Sequence, residues 1–176
     1  MSRFAVSAIG RDRPGIVAAL AAGLLDLDGN IEDSRMTILG GHFSVMLIVA
    51  VPPARSREEV EAALAPAAQG VGLDALTVSA LSASEGRPEA DHVVTVYGSD
   101  HPGIVHAISS ELADAGVGIT DLQTRLAGSG EAPLYVMMLE VALGQADPDT
   151  LGERLRGVAE RAAVEVELHP LDAETL

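Results

Sequence analysis

Two stretches of the chain set a carboxylate, a proline and a glycine directly before an apolar run: Asp12-Arg13-Pro14-Gly15-Ile16-Val17 and Asp100-His101-Pro102-Gly103-Ile104-Val105. In both, a helical pattern begins where the stretch ends. Backbone N–H groups at a helix N-terminus lack intrahelical acceptors and carry part of the helix dipole, so they attract a carboxylate. Glycine lets a ligand approach the main chain, and aspartate can accept from an ammonium. Each stretch is therefore a candidate seat for a molecule bearing both charges, such as a free amino acid. The same residues also permit a plainer reading, in which proline occupies the first helical turn and aspartate accepts from the exposed N–H groups as a cap. Asn30 follows the first helix just before the next strand, and is expected to reach the same ligand.

Other chemistries find little support. The chain has no cysteine, which excludes disulfides, thiolate nucleophiles and Cys-ligated metal or iron–sulfur centres. His101 and His106 stand five apart, a spacing that does not put two ligands on one helix face. No phosphate-binding Gly-x-x-x-x-Gly-Lys loop or Gly-x-Ser-x-Gly elbow is present. Acids such as Glu58, Glu59 and Glu61 fall on what reads as a solvated helix face. No catalytic group, cofactor or metal is expected. A formal charge of −15 repels phosphate backbones and anionic lipid, and two Phe, two Tyr and no Trp are too few for a base-stacking platform. Direct nucleic-acid and membrane binding are thus expected to be absent. The N-terminal residues lack the apolar core of a secretory leader, which points to the cytoplasm. Met36 to Ala54 contains no Asp, Glu, Lys or Arg, but Gly40-Gly41 and Pro52-Pro53 break it, and it reads as two buried strands around a turn.

The two stretches are 88 residues apart, half of the 176-residue chain. Sliding Phe4 to Asp33 by that offset gives 12 identities in 30 positions, where chance would give about two or three. The chain reads as a duplication. In each copy a short strand (Phe4 to Ile9, His92 to Tyr97) leads to a helix with one apolar stripe, Ile16, Leu20, Leu24 and Leu27 or Ile104, Ile108, Leu112 and Ala115. The helices are expected to stop near Gly29 and Gly116. Hairpins follow, Ile31 to Leu39 with Phe43 to Val51, and Ile119 to Leu126 with Leu134 to Val141. Second helices open at Ser56, with Glu59 completing a capping box, and at Asp147, with Pro148 behind it. Final strands run from Leu76 to Leu81 and from Val164 to Leu168. The order βαββαβ, twice, predicts an α+β protein of two tandem ferredoxin-like sandwiches. Residues 1–83 form the first, 84–91 the linker and 92–176 the second. The face of each sheet away from the helices needs a cover, from edge-to-edge pairing or from packing between chains.

The loop stretches, with Gly29-Asn30-Ile31 and Gly116-Val117-Gly118-Ile119-Thr120-Asp121-Leu122, resemble the hallmark segments of ACT domains over nearly the whole chain. A free-standing pair is most similar to the glycine cleavage system transcriptional repressor family, and the Asp-x-Pro-Gly-Ile-Val form is similar to the regulatory half of formyltetrahydrofolate deformylase. The resemblance implies side-by-side association, with homo-oligomers expected. It implies small ligands, often amino acids, held near the first helix, and control exerted through a protein partner, in the repressor case a regulator of amino-acid or one-carbon metabolism. A regulatory subunit or interaction module without a ligand is the alternative. Carried onto this sequence, the ligand residues are Asp12, Arg13, Pro14, Gly15, Asn30 and Ile31, and in the second copy Asp100, His101, Gly103, Gly118 and Ile119. The second copy departs from the first in having Gly118 where Asn30 stands.

Overall fold

The computed structural model describes residues 1–81, 88–128 and 133–171. The chain divides into two compact units, Met1–Glu85 and Gly86–Leu176. The first contains β1 (Ser2–Arg11), α1 (Ile16–Leu25), β2 (Asn30–Leu39), β3 (His42–Val51), α2 (Arg57–Gly70) and β4 (Leu73–Ala80). The second repeats the order with β5 (His92–Ser99), α3 (Ile104–Asp114), β6 (Gly118–Ala127), β7 (Leu134–Ala142), α4 (Pro148–Arg161) and β8 (Val164–Pro170). Each sheet is antiparallel, in the order β2-β3-β1-β4 and β6-β7-β5-β8. This is the split βαβ arrangement expected of a ferredoxin-like sandwich. No helix among the described residues is long and apolar enough to cross a membrane, and the uncharged segment from Met36 forms the β2–β3 hairpin.

One face of each sheet is covered by its two helices. Ile16, Leu20 and Leu24 of α1 and Val60 and Leu64 of α2 bury against Val6, Ala8, Val45, Leu47 and Val49. In the second unit Ile104, Ile108 and Leu112 with Leu151 and Leu155 cover Val94, Val96, Met137 and Leu139. The apolar stripes read from the sequence are these core residues. Both second helices are capped as expected. Ser56 accepts from the Glu59 N–H while the Glu59 side chain accepts from the Ser56 N–H, and Asp147 accepts from the Thr150 N–H at 2.9 Å.

Three details differ from expectation. α1 ends at Leu25 rather than near Gly29, because the chain unwinds through a left-handed Asp28 with φ 54°. β4 starts at Leu73, three residues early, because the turn at Gly72 aligns Leu73 with Gly10 at the end of β1. Asp91, assigned to the linker, is built into the second unit. Its N–H donates to the Val141 carbonyl and its carboxylate accepts from the Leu143 N–H, both at 3.0 Å. Residues 84–87 of the linker, with 82 and 83 before it, lie outside the described residues.

Candidate functional site

The central strand of each sheet runs straight into the loop. Asp12 still follows the hairpin, its N–H donating to Gly41 at 3.0 Å, and the chain then reverses into α1. The reversal is made by a glycine in the left-handed region, Gly15 with φ 99° and, in the second unit, Gly103 with φ 105°. These glycines are the N-caps, their carbonyls accepting from Ala19 and Ala107 at 2.9 Å. A side chain at either position would be strained whatever the surrounding space.

This geometry corrects the plainer reading of the motif. No side chain caps α1 or α3, so Asp12 and Asp100 do not serve that purpose. Pro14 and Pro102 precede the cap rather than occupying the first turn. The N–H groups of Ile16, Val17 and Ala18, and of Ile104, Val105 and His106, find no acceptor among the described residues. The helix ends therefore present three donors each, beside an exposed aspartate in both units.

The residue after the aspartate ties the loop to the turn that follows the second helix. In the first unit the Arg13 guanidinium lies against Gly72, so close that a Cβ there would be 3.1 Å from it. In the second, His101 Nε2 is 2.7 Å from the Ala162 carbonyl oxygen and Nδ1 is 3.1 Å from that of Pro102. Arg13 stays exposed as it crosses that turn, whereas His101 is half-buried against it.

Asn30 is not near this loop. It opens β2 opposite Ala50, which also pairs with Arg3. The Asp12 loop continues from Arg11 at the other end of β1, eight residues and about 26 Å away at the usual strand rise. Gly118, opposite Ala142 at the start of β6, is likewise at the far end from Asp100. The structure thus brings together Asp12, Arg13, Pro14 and Gly15, and Asp100, His101 and Gly103. It does not bring Asn30, Ile31, Gly118 or Ile119 to them within one unit. Ile31 is half-buried against the first core, whereas Ile119 is exposed. Each is followed by the same one-residue register shift, between Ile31 and Asp33 and between Ile119 and Asp121.

A hollow of about 540 Å³ opens at the second loop, lined by Asp100, His101, Gly103, Val105, His106 and Tyr135 among others. Tyr135 was not singled out in the sequence. It pairs with Gly98 on β7, as Phe43 pairs with Gly10 on β3. The signal that would have found it is a phenol at a position where the first copy has only a ring. Burial, and after it the nearby Asp100 carboxylate, push the phenol's pKa up, so the hydroxyl keeps its proton. His106 Nδ1 lies 3.3 Å from Ser110 Oγ. Another hollow, of about 470 Å³, lies between α4 and β8, lined in part by Asp149, Glu153, Arg156, Glu167 and His169, with no residue of the loop. Among the described residues no group of His, Cys, Asp and Glu is arranged to hold a metal ion.

Among curated relatives, the UPF0237 protein MK1213 of Methanopyrus kandleri is 38% identical over 68 residues, covering 36% of this chain and 76% of that protein. The UPF0237 protein MJ1558 of Methanocaldococcus jannaschii is 40% identical over 55 residues, covering 31% and 61%. Among solved structures, an unknown protein from Galdieria sulphuraria superposes with a TM-score of 0.79 at 28% identity, covering 97% of this chain and 99% of that one. A protein assigned as a glycine cleavage system transcriptional repressor shares the fold, with a TM-score of 0.73 at 20% identity over 97% of this chain and 98% of its own. The profile of the ACT domain matches residues 2–77 and again 91–169, one match in each unit. The chain belongs to the ACT domain family, with two copies of the domain in tandem.

Proposed function

We propose that the protein is a non-catalytic cytoplasmic regulator that binds an amino acid at its Asp-x-Pro-Gly loops and passes the occupancy to a protein partner. Residues 1–83 and 92–176 act as its two sensing domains. The observation that carries this reading is the pair of glycine-capped helix ends, each holding three N–H donors without a side-chain acceptor beside an aspartate carboxylate. A loop that served only to cap its helix would spend the aspartate on those donors, as Asp147 is spent on Thr150. The glycine cleavage repressor of the same fold suggests that the partner is a transcriptional regulator. Ligand control then requires different affinities for two states of the protein, since equal affinity shifts nothing.

Asn30 enters this reading through a second copy of the chain. β2 is an edge strand. Antiparallel pairing of β2 with that of another copy sets residue 30 of one beside residue 39 of the other, level with Arg11 and the loop beyond it. Exposed Val17 and Leu25 on α1, with Met36 and Ile38 on the helix side of β2, supply an apolar surface for that contact. Sedimentation should show a dimer that Ile38→Lys disrupts.

The same apolar surface favours the second reading, a ligand-independent interaction module. A thermal-shift screen against the twenty amino acids separates the two. A bound amino acid at about a hundred times its Kd adds roughly 2.7 kcal/mol of apparent stability. No shift with any of the twenty selects the interaction module.

A further inference from the structure

Beneath the second loop lies a polar group that the first loop lacks. Tyr135 is 8% exposed, and its hydroxyl makes one hydrogen bond among the described residues, to the Met137 thioether at 3.7 Å. Thioether sulfur is a weak acceptor, so a nearly buried phenol is left short of a proper partner. In the first unit the equivalent pair is Phe43 and Val45, which fill the same inward positions of β3 with no polar atom. A core needs no hydroxyl there, and burying one without a good acceptor is unfavourable. The side chain lines the hollow that also contains Asp100, Gly103 and His106.

We infer that the second domain selects an amino acid with a short hydrogen-bonding side chain, of the serine and threonine type, and that the Tyr135 hydroxyl is its specificity determinant. The inference rests on the reading above that the loops seat amino acids. The ligand carboxylate takes the first-turn N–H groups of α3 and its ammonium takes Asp100. Its side chain then turns to the Tyr135 hydroxyl, which both donates and accepts. An apolar isostere would leave that hydroxyl facing a methyl group, and sites built to pair with a substrate hydroxyl reject such analogues strongly. The first domain has Phe43 beneath its loop and Ala18 where the second has His106, so it lacks this discrimination.

The chain has two tyrosines and no tryptophan, so Tyr97→Phe leaves Tyr135 as the sole strong emitter. The probes are L-threonine against L-valine and L-serine against L-alanine, titrated into the full chain by calorimetry and by tyrosine emission. The expected result is that the hydroxyl-bearing member of each pair binds about tenfold or more tightly than its isostere, changes Tyr135 emission in Tyr97→Phe, and loses that advantage in Tyr135→Phe. This last variant installs the ring that the first unit already folds around, and circular dichroism with the melting temperature checks its integrity. A preference that survives in Tyr135→Phe, or threonine binding that leaves Tyr135 emission unchanged, overturns the inference while the amino-acid reading stands. Calorimetric silence with all four probes overturns it as well. Failure of the remaining sixteen amino acids in the thermal screen would then remove the broader reading too.

Discussion

The first helices of the two units share a skeleton and differ in what they show to solvent. α1 reads Ile-Val-Ala-Ala-Leu-Ala-Ala-Gly-Leu-Leu, ten residues without a polar side chain. α3 keeps the buried stripe of Ile104, Ile108 and Leu112 but places His106, Ser109 and Ser110 where α1 has Ala18, Ala21 and Ala22. A helix apolar on all sides is normally covered on all sides, yet Val17 is 47% and Leu25 72% exposed. The left-handed N-cap, the register shift early in the second strand and the buried helix stripe are the same in both units. The surface chemistry around the loop is not. Duplication has kept what the backbone needs and varied the surface around the loop; on the proposed reading association falls to the first unit and selectivity to the second.

The largest expected effects test whether the shared skeleton gives two equivalent cores. Leu64 and Leu155 are fully buried counterparts. Leu64→Ala and Leu155→Ala should each cost about 3 kcal/mol. Each loss should fall on its own unit, seen by urea unfolding monitored through amides assigned to each half. Equal loss in both halves from one substitution would break the comparison. Next comes the crossing at the end of the central strand. A Cβ on Gly98 would lie 2.7 Å from Val164 Cγ1, whereas one on Gly10 would lie 3.0 Å from the Leu73 backbone. Gly98→Ala should cost about 1–3 kcal/mol as an overpacking substitution, and Gly10→Ala should be no milder, because the neighbour that must yield is main chain. Melting temperatures of the two variants decide that order.

Smaller effects sharpen the contrast. The turn after the second helix uses Gly72, φ 62°, in the first unit but Ala163, φ 50°, in the second. Relief of left-handed strain in Ala163→Gly should outweigh the added freedom of the unfolded chain and stabilise the second unit by up to about 1 kcal/mol. Denaturant titration checks the sign. Acid should separate the helix starts. Hydrogen bonds from the Thr150 side chain and then its backbone N–H hold the Asp147 carboxyl below its usual 3.8. A depressed carboxyl contributes stability above its unfolded value and loses it as pH falls through the lowered folded value. The α4 start should therefore loosen below about pH 3.8. α2 keeps its Ser56 acceptor and weakens only the bond that the Ser56 N–H donates to Glu59, whose carboxyl is lowered first by that N–H and then by Arg55. Amide shifts of Thr150 and Glu59 across pH 2 to 6 would show it, and Asp147→Asn should flatten the Thr150 response.

Repetition made the fold legible. Helix stripes, the second-helix caps at Ser56 and Asp147 and the hairpins are local patterns that sequence spacing carries, and each was visible in both copies. What escaped was information held in register. Asn30 stands only a helix away from Asp12 in sequence, but strand pairing sets them at opposite ends of a sheet, a distance that no local pattern encodes. The caps escaped for a related reason. An aspartate three residues before a glycine suits an N-cap by composition, and only the left-handed turn at Gly15 shows that the glycine itself occupies that position. Tyr135 escaped because a phenol at the start of an apolar strand looks like core until the Asp100 loop is folded over it.

The glycine caps also mark where each domain's amide protons are open to solvent. Ile16, Val17 and Ala18 sit between a central strand bonded on both edges and a helix whose later amides are paired, yet their own N–H groups have no acceptor among the described residues. They should trade hydrogen for deuterium at the pace of an unstructured segment while their neighbours on either side are protected for far longer. Ile104, Val105 and His106 repeat the pattern in the second domain. Each domain thus contains a short, fast-exchanging window framed by slow ones. Slowing within that window alone would record occupancy domain by domain, without a label and without knowing beforehand what has bound.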